Sequence, residues 1–559
     1  MEKKTHPPTE IKDENRRPLP NFPPSIWGTT FTSFSFPEQE FQFYTGQVQQ
    51  LKKEVERMLI DSTKDVAKNI EFIDLLCRLG VSYHFENEIE MQLKNIFYAL
   101  THQNDYDHDL YTTSLLFRVL RQHGYKVPCS VFHKFKEEVN GEFKRSIIND
   151  LKGILSLYEA SHVSVPEEDI LDEALVFARE ILEKSLTSMQ LSPQIEKHIK
   201  NTLIRPFHKG LPRIEARQCI SFYKEEESVN GTLLEFAKLD FNRVQLLHKQ
   251  ELSILSRWWS DSNFTKQLPY VRERIVESYF WANAFLSEPQ YELSRFMISK
   301  YLAMVTVVDD TYDSYATLEE LKHFTDAMER CDIFDAAADQ LPADYMKFLY
   351  KVLINLFKET ACEMTKRGRS YSANSVKEEF KNLVRSYHVE AEWSNNRHVP
   401  PFEEYICNGK ISSGTMLVLA LAFTGMEKVA GIKEYEWLRT NPEIVEAAKL
   451  IACLLNDISG HQDEQKRGDC ASSVECYMKE CQASKDQAIQ VIRKMSACAV
   501  KDINNVCMTS TAIPKQILKI FANIVRACDV VYDRGNGDAF TNPTKLKDHV
   551  ISIFIEKIY

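Results

Sequence analysis

The sequence predicts an all-α protein. Glycine accounts for only 17 of 559 residues, about 3% against roughly 7% in average proteins, and tight hairpins depend on glycine. Apolar residues recur at helical spacing, as in the segments 170–182 and 349–357. Alternating strand-like runs bounded by glycine are nearly absent. Together these three observations favour helices from about Leu51 to the end of the chain.

Charge and composition limit the partners and the location of the protein. The chain carries 69 Lys and Arg against 80 Asp and Glu, a net charge of −11, which disfavours nucleic acid as a partner. Apolar runs such as Met416 to Phe423 are far shorter than the roughly 20 residues that cross a bilayer. The first 20 residues contain acids and no apolar stretch, which is unlike a targeting signal. We therefore expect a cytoplasmic monomer without a membrane span.

The chain begins with a proline-rich segment and divides near its middle. Six prolines within the first 24 residues forbid a helix there and predict an extended arm, which closes with Trp27. The polar segment EEESVNG at 225–231 is the best candidate for a linker. We therefore predict an N-terminal helical domain over residues 1–228, including the arm, and a C-terminal domain over residues 229–559.

The strongest chemical signal is a group of aspartates at the end of an apolar helix. The helix is predicted from about Leu293 to Val308 and is followed by Asp309, Asp310 and Asp313. Asp309 and Asp313 are four residues apart and therefore share one helix face. Two carboxylates at the end of a buried segment need a cation, and oxygen ligands suit Mg²⁺. A solvated helix end that carries aspartates is the alternative.

Two weaker signals surround this one. Asn456 and Glu464 follow a second apolar run and lie about two helical turns apart, so they could hold a further divalent ion. Arg272 and Arg274 precede the aspartates and could clamp a leaving phosphate. Taken alone, each of these signals fits the structural alternative better: a polar helix end for the first and surface decoration for the second.

The joint arrangement describes a three-metal diphosphate site between helices, and the sequence resembles the plant terpene synthases, specifically their cytosolic sesquiterpene branch. The resemblance spans nearly the whole chain. It rests on the motifs already described and on RP at 17–18 followed by Trp27, DLYTT at 109–113, RQHGY at 121–125, SRWW at 256–259, LPY at 268–270, ESYFW at 277–281 and VDDTYDSYATLEEL from residue 308.

The resemblance implies a fold and a set of roles. The C-terminal domain would be a class I terpenoid-synthase α-bundle, and the N-terminal domain a vestigial α-barrel that caps without catalysing. Asp309 and Asp313 would ligate two Mg²⁺ ions, Asn456 and Glu464 would ligate the third, and Mn²⁺ could substitute. Arg272 and Arg274 would receive the departing diphosphate. Trp281 would face carbocations, with a cation–π contact of about 2 kcal/mol or more.

Two further segments are assigned by the resemblance. Ser412, Ser413 and Gly414 would form a helix break whose carbonyls point into the pocket. The segment DAFT at 538–541 would close over the site, with Phe540 where the family usually has tyrosine. Two departures concern the phosphate end. Gly460 replaces a metal-ligating Ser or Thr, and Cys453 replaces an arginine that contacts diphosphate.

These observations predict a Mg²⁺-dependent lyase that ionises farnesyl diphosphate and guides the resulting carbocation to a terpene. A prenyl-chain-elongating synthase is disfavoured, because Asn456 stands where a second aspartate-rich motif is required. The remaining alternative is a noncatalytic or weakly active isoprenoid-diphosphate-binding homologue, in which Cys453 and Gly460 mark decay.

Overall fold

The computed structural model describes residues 20, 22–103, 108–188, 190–226, 228–331, 337–532 and 537–559. Across these ranges the secondary structure is helical and contains no strand, apart from one isolated antiparallel bridge between Lys136 and Phe143. The all-α prediction is confirmed. Arg17 and Pro18, which contribute to the sequence resemblance, lie outside the described residues, as does most of the predicted N-terminal arm.

Eight helices form the N-terminal half. Their apolar faces enclose one continuous core, which includes Phe117, Phe132 and Tyr158, all fully buried. Side-chain caps fix several helix starts; Asp109, for example, accepts a hydrogen bond from the Thr112 amide at 2.8 Å. The helices are α1 Glu38–Ser62, α2 Val66–Arg78, α3 Glu86–Gln103, α4 Leu110–Gln122, α5 Leu151–Ser161, α6 Asp169–Ser188, α7 Pro193–Ile204 and α8 Pro212–Tyr223.

The long helix α9, Gly231–Asp261, links the two halves. Asn230 caps its start, because the Asn230 side chain accepts a hydrogen bond from the Leu233 amide at 3.0 Å. The first half of α9 packs into the N-terminal core, through residues such as Phe236, whereas Leu252 and Leu255 belong to the C-terminal core. The two cores therefore meet within α9, shortly after the predicted linker, and the boundary between residues 228 and 229 stays a prediction.

The C-terminal half is a bundle of longer helices around a second core. The most buried of its helices is Ile275–Phe285, in which all eleven residues are buried. The helices are α10 Phe264–Gln267, α11 Ile275–Phe285, α12 Glu292–Ser314, α13 Leu318–Arg330, α14 Asp344–Lys366, α15 Ser370–Asn395, α16 Phe402–Ser412, α17 Thr415–Thr424, α18 Ile432–Arg439, α19 Glu443–Arg467, α20 Ser473–Cys481, α21 Lys485–Thr509, α22 Lys515–Val531 and α23 Lys547–Val550, which leads into a π-helical turn at Ile551–Ile555.

One segment of this bundle, Phe402–Thr424, is long and apolar enough to cross a membrane by length and composition. It comprises α16 and α17, which are separated by Gly414 in the left-handed conformation, with φ 69°. More than half of its apolar window is buried inside the protein. A broken helix pair that packs against α12, α15 and α19 fits a core element, and the absence of a membrane span stays a prediction.

Candidate active site

A cavity of about 280 Å³ opens at one end of the C-terminal bundle, between α12, α15, α16, α19 and α22. Its mouth is lined mainly by carboxylates, and its floor by aromatic and aliphatic side chains. Of the site residues predicted from the sequence, six line this cavity: Trp281, Arg272, Asp309, Asp313, Asn456 and Glu464. Arg274 does not.

The aspartates lie within the last turns of α12. The helix continues to Ser314, beyond the predicted end at Val308, so that Asp309 and Asp313 project from consecutive turns toward the cavity. Burial raises the pKa of both carboxyls, and at Asp313 the charge of Asp309 raises it further. Both carboxyls therefore resist ionisation in the absence of a cation. A cation bound between them would stabilise their ionised forms.

Asp310 anchors Arg272 to α12. One Asp310 oxygen accepts a hydrogen bond from the Arg272 amide at 2.6 Å, and the other lies 2.7 Å from Arg272 Nε. The Arg272 guanidinium also donates to Asp309, and to Thr541 Oγ1 at 3.0 Å. Asp310 is 1% exposed, and its burial raises its pKa to about 7 in spite of the arginine. Arg272 therefore joins the aspartates to the C-terminal loop.

Arg274 makes different contacts. Its guanidinium donates to the backbone carbonyls of Phe540 at 2.9 Å, Thr541 at 2.7 Å and Pro23 at 2.6 Å. It is 1% exposed. Arg274 therefore links the N-terminal segment to the 538–541 loop through hydrogen bonds. Its predicted contact with diphosphate would require a rearrangement of these bonds.

The second predicted metal motif lies on α19. Asn456 Nδ2 donates to the Tyr532 hydroxyl at 2.9 Å, and no donor among the described residues reaches its Oδ1, which leaves that oxygen to a cation. Glu464 faces the same cavity two turns later, and burial raises its pKa well above the ordinary value. The neighbouring Asp457 is occupied elsewhere, because it accepts bonds from Tyr405 at 2.9 Å and from the Ser473 amide at 3.1 Å.

Gly460 has a structural consequence that the sequence does not reveal. A Cβ atom built at Gly460 would lie 2.2 Å from Glu464 Oε1. The Glu464 carboxylate therefore folds back over the glycine and occupies the space where a serine or threonine side chain would stand. The helix remains regular at this point. The Glu464 carboxylate therefore occupies the position of the hydroxyl that the motif lacks.

Cys453 brings no charge to the cavity. Its thiol is 4% exposed and lies 3.9 Å from Asp457 Oδ2. Burial raises the pKa of this thiol well above its ordinary value, so it stays neutral. On its other side the sulfur packs closely against Gly409 of α16, where a Cβ would lie 2.7 Å away. Nothing at this position replaces an arginine.

The charge balance of the cavity fits divalent cations. Eight carboxylates line it, namely Asp309, Asp310, Asp313, Glu390, Asp457, Glu464, Asp469 and Asp538, whereas Arg272 and Arg467 are its only lining cations among the described residues. No three acidic, histidine or cysteine side chains in the described ranges form a closed metal site. Mg²⁺ commonly takes one or two carboxylates and completes its shell with water and substrate phosphates. The residues present therefore fit Mg²⁺ held jointly with a phosphate ligand.

The floor of the cavity is apolar and aromatic. Trp281 is 9% exposed, and its ring lies 5.4 Å from that of Phe285 and 5.7 Å from that of Tyr532, centroid to centroid. Ser412, Ser413 and Thr415 reach the cavity around Gly414, at the predicted helix break. Aliphatic side chains complete the floor: Leu302, Val305, Val418, Ala452 and Ile524.

The cavity is also lined by residues that the sequence did not single out, among them Phe22, Glu390, Arg467 and Asp469. Phe22, in the N-terminal segment, lies between two guanidinium groups, 4.6 Å from that of Arg272 and 5.5 Å from that of Arg467. Glu390 of α15 accepts a hydrogen bond from Asn408 at 2.9 Å, and burial raises its pKa to about 8. Arg467 and Asp469 follow Glu464 by three and five residues, whereas no short spacing links Phe22 or Glu390 to either motif, so only the fold brings those two to the cavity.

Comparisons with known proteins agree with this geometry. The profile of the terpene synthase family metal binding domain matches residues 260–502, and that of the terpene synthase N-terminal domain matches residues 26–203. A Ricinus communis relative named probable terpene synthase 6 is 52% identical over 97% of this chain and 98% of its own length. Chloroplastic casbene synthase from Ricinus communis is 44% identical over 97% and 89% of the two chains.

A solved structure shows the same architecture with ligands. Isoprene synthase from grey poplar (Populus x canescens), in complex with three Mg²⁺ ions and dimethylallyl-S-thiolodiphosphate, superposes with a TM-score of 0.84 at 32% identity. The match covers 92% of this chain and 98% of the isoprene synthase chain. The two-domain helical fold, the metal-binding domain and the full-length relatives lead to one conclusion: this chain belongs to the plant terpene synthase family, whose members are lyases that act on prenyl diphosphates.

Proposed function

We propose that the chain is a Mg²⁺-dependent sesquiterpene synthase that acts on farnesyl diphosphate. The observation that carries the proposal is the contrast within one cavity between an acidic mouth, formed by Asp309, Asp313 and Glu464, and an apolar floor around Trp281. A prenyl diphosphate has the same two unlike ends. The fifteen-carbon substrate is supported by the sequence resemblance to the sesquiterpene branch.

Each end of the cavity has its own task in this proposal. Mg²⁺, held by Asp309 and Asp313 and by Asn456 and Glu464, supplies Lewis-acid stabilisation of the charge that develops on the leaving diphosphate. Arg272 lies beside Asp309 and contributes a fixed positive charge at the same place. The aromatic floor then excludes water and faces the carbocation with π electrons. Three metal ions, substitution by Mn²⁺, a monomeric state and a cytoplasmic location remain predictions.

Gas chromatography of volatile products tests the proposal. The full chain, given farnesyl diphosphate and Mg²⁺, is expected to release a fifteen-carbon hydrocarbon or alcohol, and EDTA is expected to abolish the product. A longer prenyl diphosphate, formed when isopentenyl diphosphate is added as the second substrate, would instead indicate chain elongation. No product from farnesyl diphosphate at high Mg²⁺ would contradict the proposal and favour the weakly active homologue, an alternative suggested by Cys453 and Gly460.

Replacement of Gly460 tests the metal motif on α19. Gly460→Ser is expected to lower the Mg²⁺ concentration at half-maximal rate several-fold. The new side chain pushes the Glu464 carboxylate away from the glycine, and its hydroxyl avoids the cost of ordering a water ligand, up to about 2 kcal/mol. Gly460→Ala is the matched control, because it displaces Glu464 without adding an oxygen. A Mg²⁺ requirement that is unchanged or raised in the serine variant would contradict this account of the motif.

Replacement of Trp281 separates guidance of the carbocation from simple packing. Trp281→Leu is expected to shift products toward linear or monocyclic species, because the indole face is lost while the metal ligands are retained. The measurement is the product ratio, with the melting temperature as the control. A tryptophan that only fills the core would cost about 3 to 5 kcal/mol on truncation and lower all products together. A large fall in melting temperature with an unchanged ratio would therefore assign Trp281 to packing.

A further inference from the structure

The acidic mouth of the cavity is poor in groups that can bind an anion. Arg272 and Arg467 are its only cationic lining residues within the part of the chain that the structure describes. The guanidinium of Arg272 already contacts Asp309, Asp310 and Thr541. A diphosphate carries several negative charges, and bidentate arginine contacts are the usual way to hold phosphate oxygens. Arg467 is therefore the lining cation that is left to contact phosphate oxygens directly.

Arg467 stands where such a cation would be useful. It is the last residue of α19, one turn beyond Glu464, so the same helix end carries both side chains. The helix stops at Gly468 in the left-handed conformation, with φ 87°. Its positive charge also acts on Asp309 of the opposite motif, where it favours the ionised carboxylate. Arg467 therefore lies between the two metal motifs.

The guanidinium of Arg467 is only partly engaged. Nε and Nη2 both donate to a single oxygen of Asp469, at 3.0 and 2.7 Å. Nη1 makes no hydrogen bond to any residue in the described ranges. The side chain keeps 28% of its surface exposed, and Phe22 covers one side of it. An arginine with an open edge toward an acidic cavity can bind an anionic ligand through that edge.

We propose that Arg467 binds the diphosphate group of the prenyl substrate and supplies the cation that Cys453 cannot. The inference rests on the proposed function, since it assumes a diphosphate at this mouth. In the absence of substrate, Asp469 neutralises Arg467. The incoming diphosphate competes with that carboxylate and takes over the guanidinium, while Phe22 keeps it beside Arg272. Arg467 is then a direct ligand of the leaving group.

Calorimetric titration of inorganic diphosphate in the presence of Mg²⁺ tests this assignment without turnover. Arg467→Gln is expected to weaken the affinity for diphosphate by about tenfold or more, because the loss of a hydrogen bond from a charged group has an effect of about that size. The matched control is Lys466→Gln, which removes the same charge from the neighbouring residue; Lys466 is 74% exposed and pairs with Asp463 at 2.7 Å. This control is expected to bind as the wild type does, and both melting temperatures should stay close to that of the wild type.

Asp469→Asn separates binding from support. If Arg467 binds diphosphate, removal of the competing carboxylate should leave the affinity unchanged or raise it. If Arg467 acts only by holding Asp469, the two variants should weaken binding alike. Equal weakening of diphosphate binding in the two variants would overturn the proposal. So would a diphosphate affinity of Arg467→Gln within about twofold of that of the wild type. A wild type that binds Mg²⁺ and diphosphate but releases no terpene would contradict the proposed function and leave this inference standing, whereas a wild type that binds no diphosphate would overturn both.

Discussion

Asp309→Asn is expected to lower kcat/KM by about 10³-fold, because metal stabilisation of a leaving group is worth several kcal/mol and each 1.4 kcal/mol is a factor of ten. The substitution keeps the shape of the side chain and removes the charge that binds Mg²⁺. It also relieves repulsion with Asp313, whose pKa the charge of Asp309 raises. The metal-free variant should therefore melt at or above the temperature of the wild type.

The control for this substitution is Asp344→Asn. Asp344 lies at the start of α14, and its side chain is 99% exposed, so the variant loses the same charge far from the cavity and should keep full activity. Steady-state rates and melting curves without metal give both readouts. Turnover of Asp309→Asn within a few-fold of the wild type at the same Mg²⁺ concentration would contradict the assignment of Asp309 as a metal ligand.

Arg272→Gln is expected to have the second large effect, and on stability as well as on activity. Loss of the Arg272 guanidinium leaves the Asp310 carboxylate, which is 1% exposed, without its cation. Breaking a buried ion pair typically costs about 3 to 5 kcal/mol of stability. Asp310 should then be protonated near neutral pH, because its pKa is already raised to about 7 with the arginine present. Chemical denaturation and Mg²⁺-dependent binding of diphosphate measure the two effects.

Arg274→Gln is the informative comparison. This variant loses hydrogen bonds to Pro23, Phe540 and Thr541 but removes no group that lines the cavity. We expect it to loosen the contact between the N-terminal segment and the C-terminal loop, and to spare diphosphate binding more than Arg272→Gln does. Equal losses of diphosphate affinity in the two variants would instead support the predicted role of Arg274 as a phosphate ligand.

Unchanged stability in Arg272→Gln would contradict the anchoring role of Asp310.

The sequence was most informative where function is encoded in helical spacing. Asp309 and Asp313 are four residues apart, and Asn456 and Glu464 eight residues apart, and the structure brings all four to one cavity. The prediction that α12 ends near Val308 was too short, because the aspartates themselves form the last turn of the helix and so remain in register. The all-helical class also followed from periodicity and from the scarcity of glycine.

Contacts between distant segments could not be predicted. Phe22 meets Arg272 and Arg467 because the N-terminal segment crosses the mouth of the cavity, and no periodicity encodes that path. Glu390 reaches the cavity from the middle of α15. In the sequence, an isolated acidic residue within a helix cannot be distinguished from one that faces solvent. The position of Gly460 signalled a lost hydroxyl, but only the structure shows that Glu464 fills the space.

The most direct test of the account compares kcat/KM for the ten-, fifteen- and twenty-carbon prenyl diphosphates, with terpene release measured in Mg²⁺ and again in EDTA. The account predicts the highest value for farnesyl diphosphate, because the sequence resembles the sesquiterpene branch. It predicts no product without metal, because carboxylates line the mouth of the cavity. A higher value for geranyl or geranylgeranyl diphosphate, or a product that forms in EDTA, would contradict it.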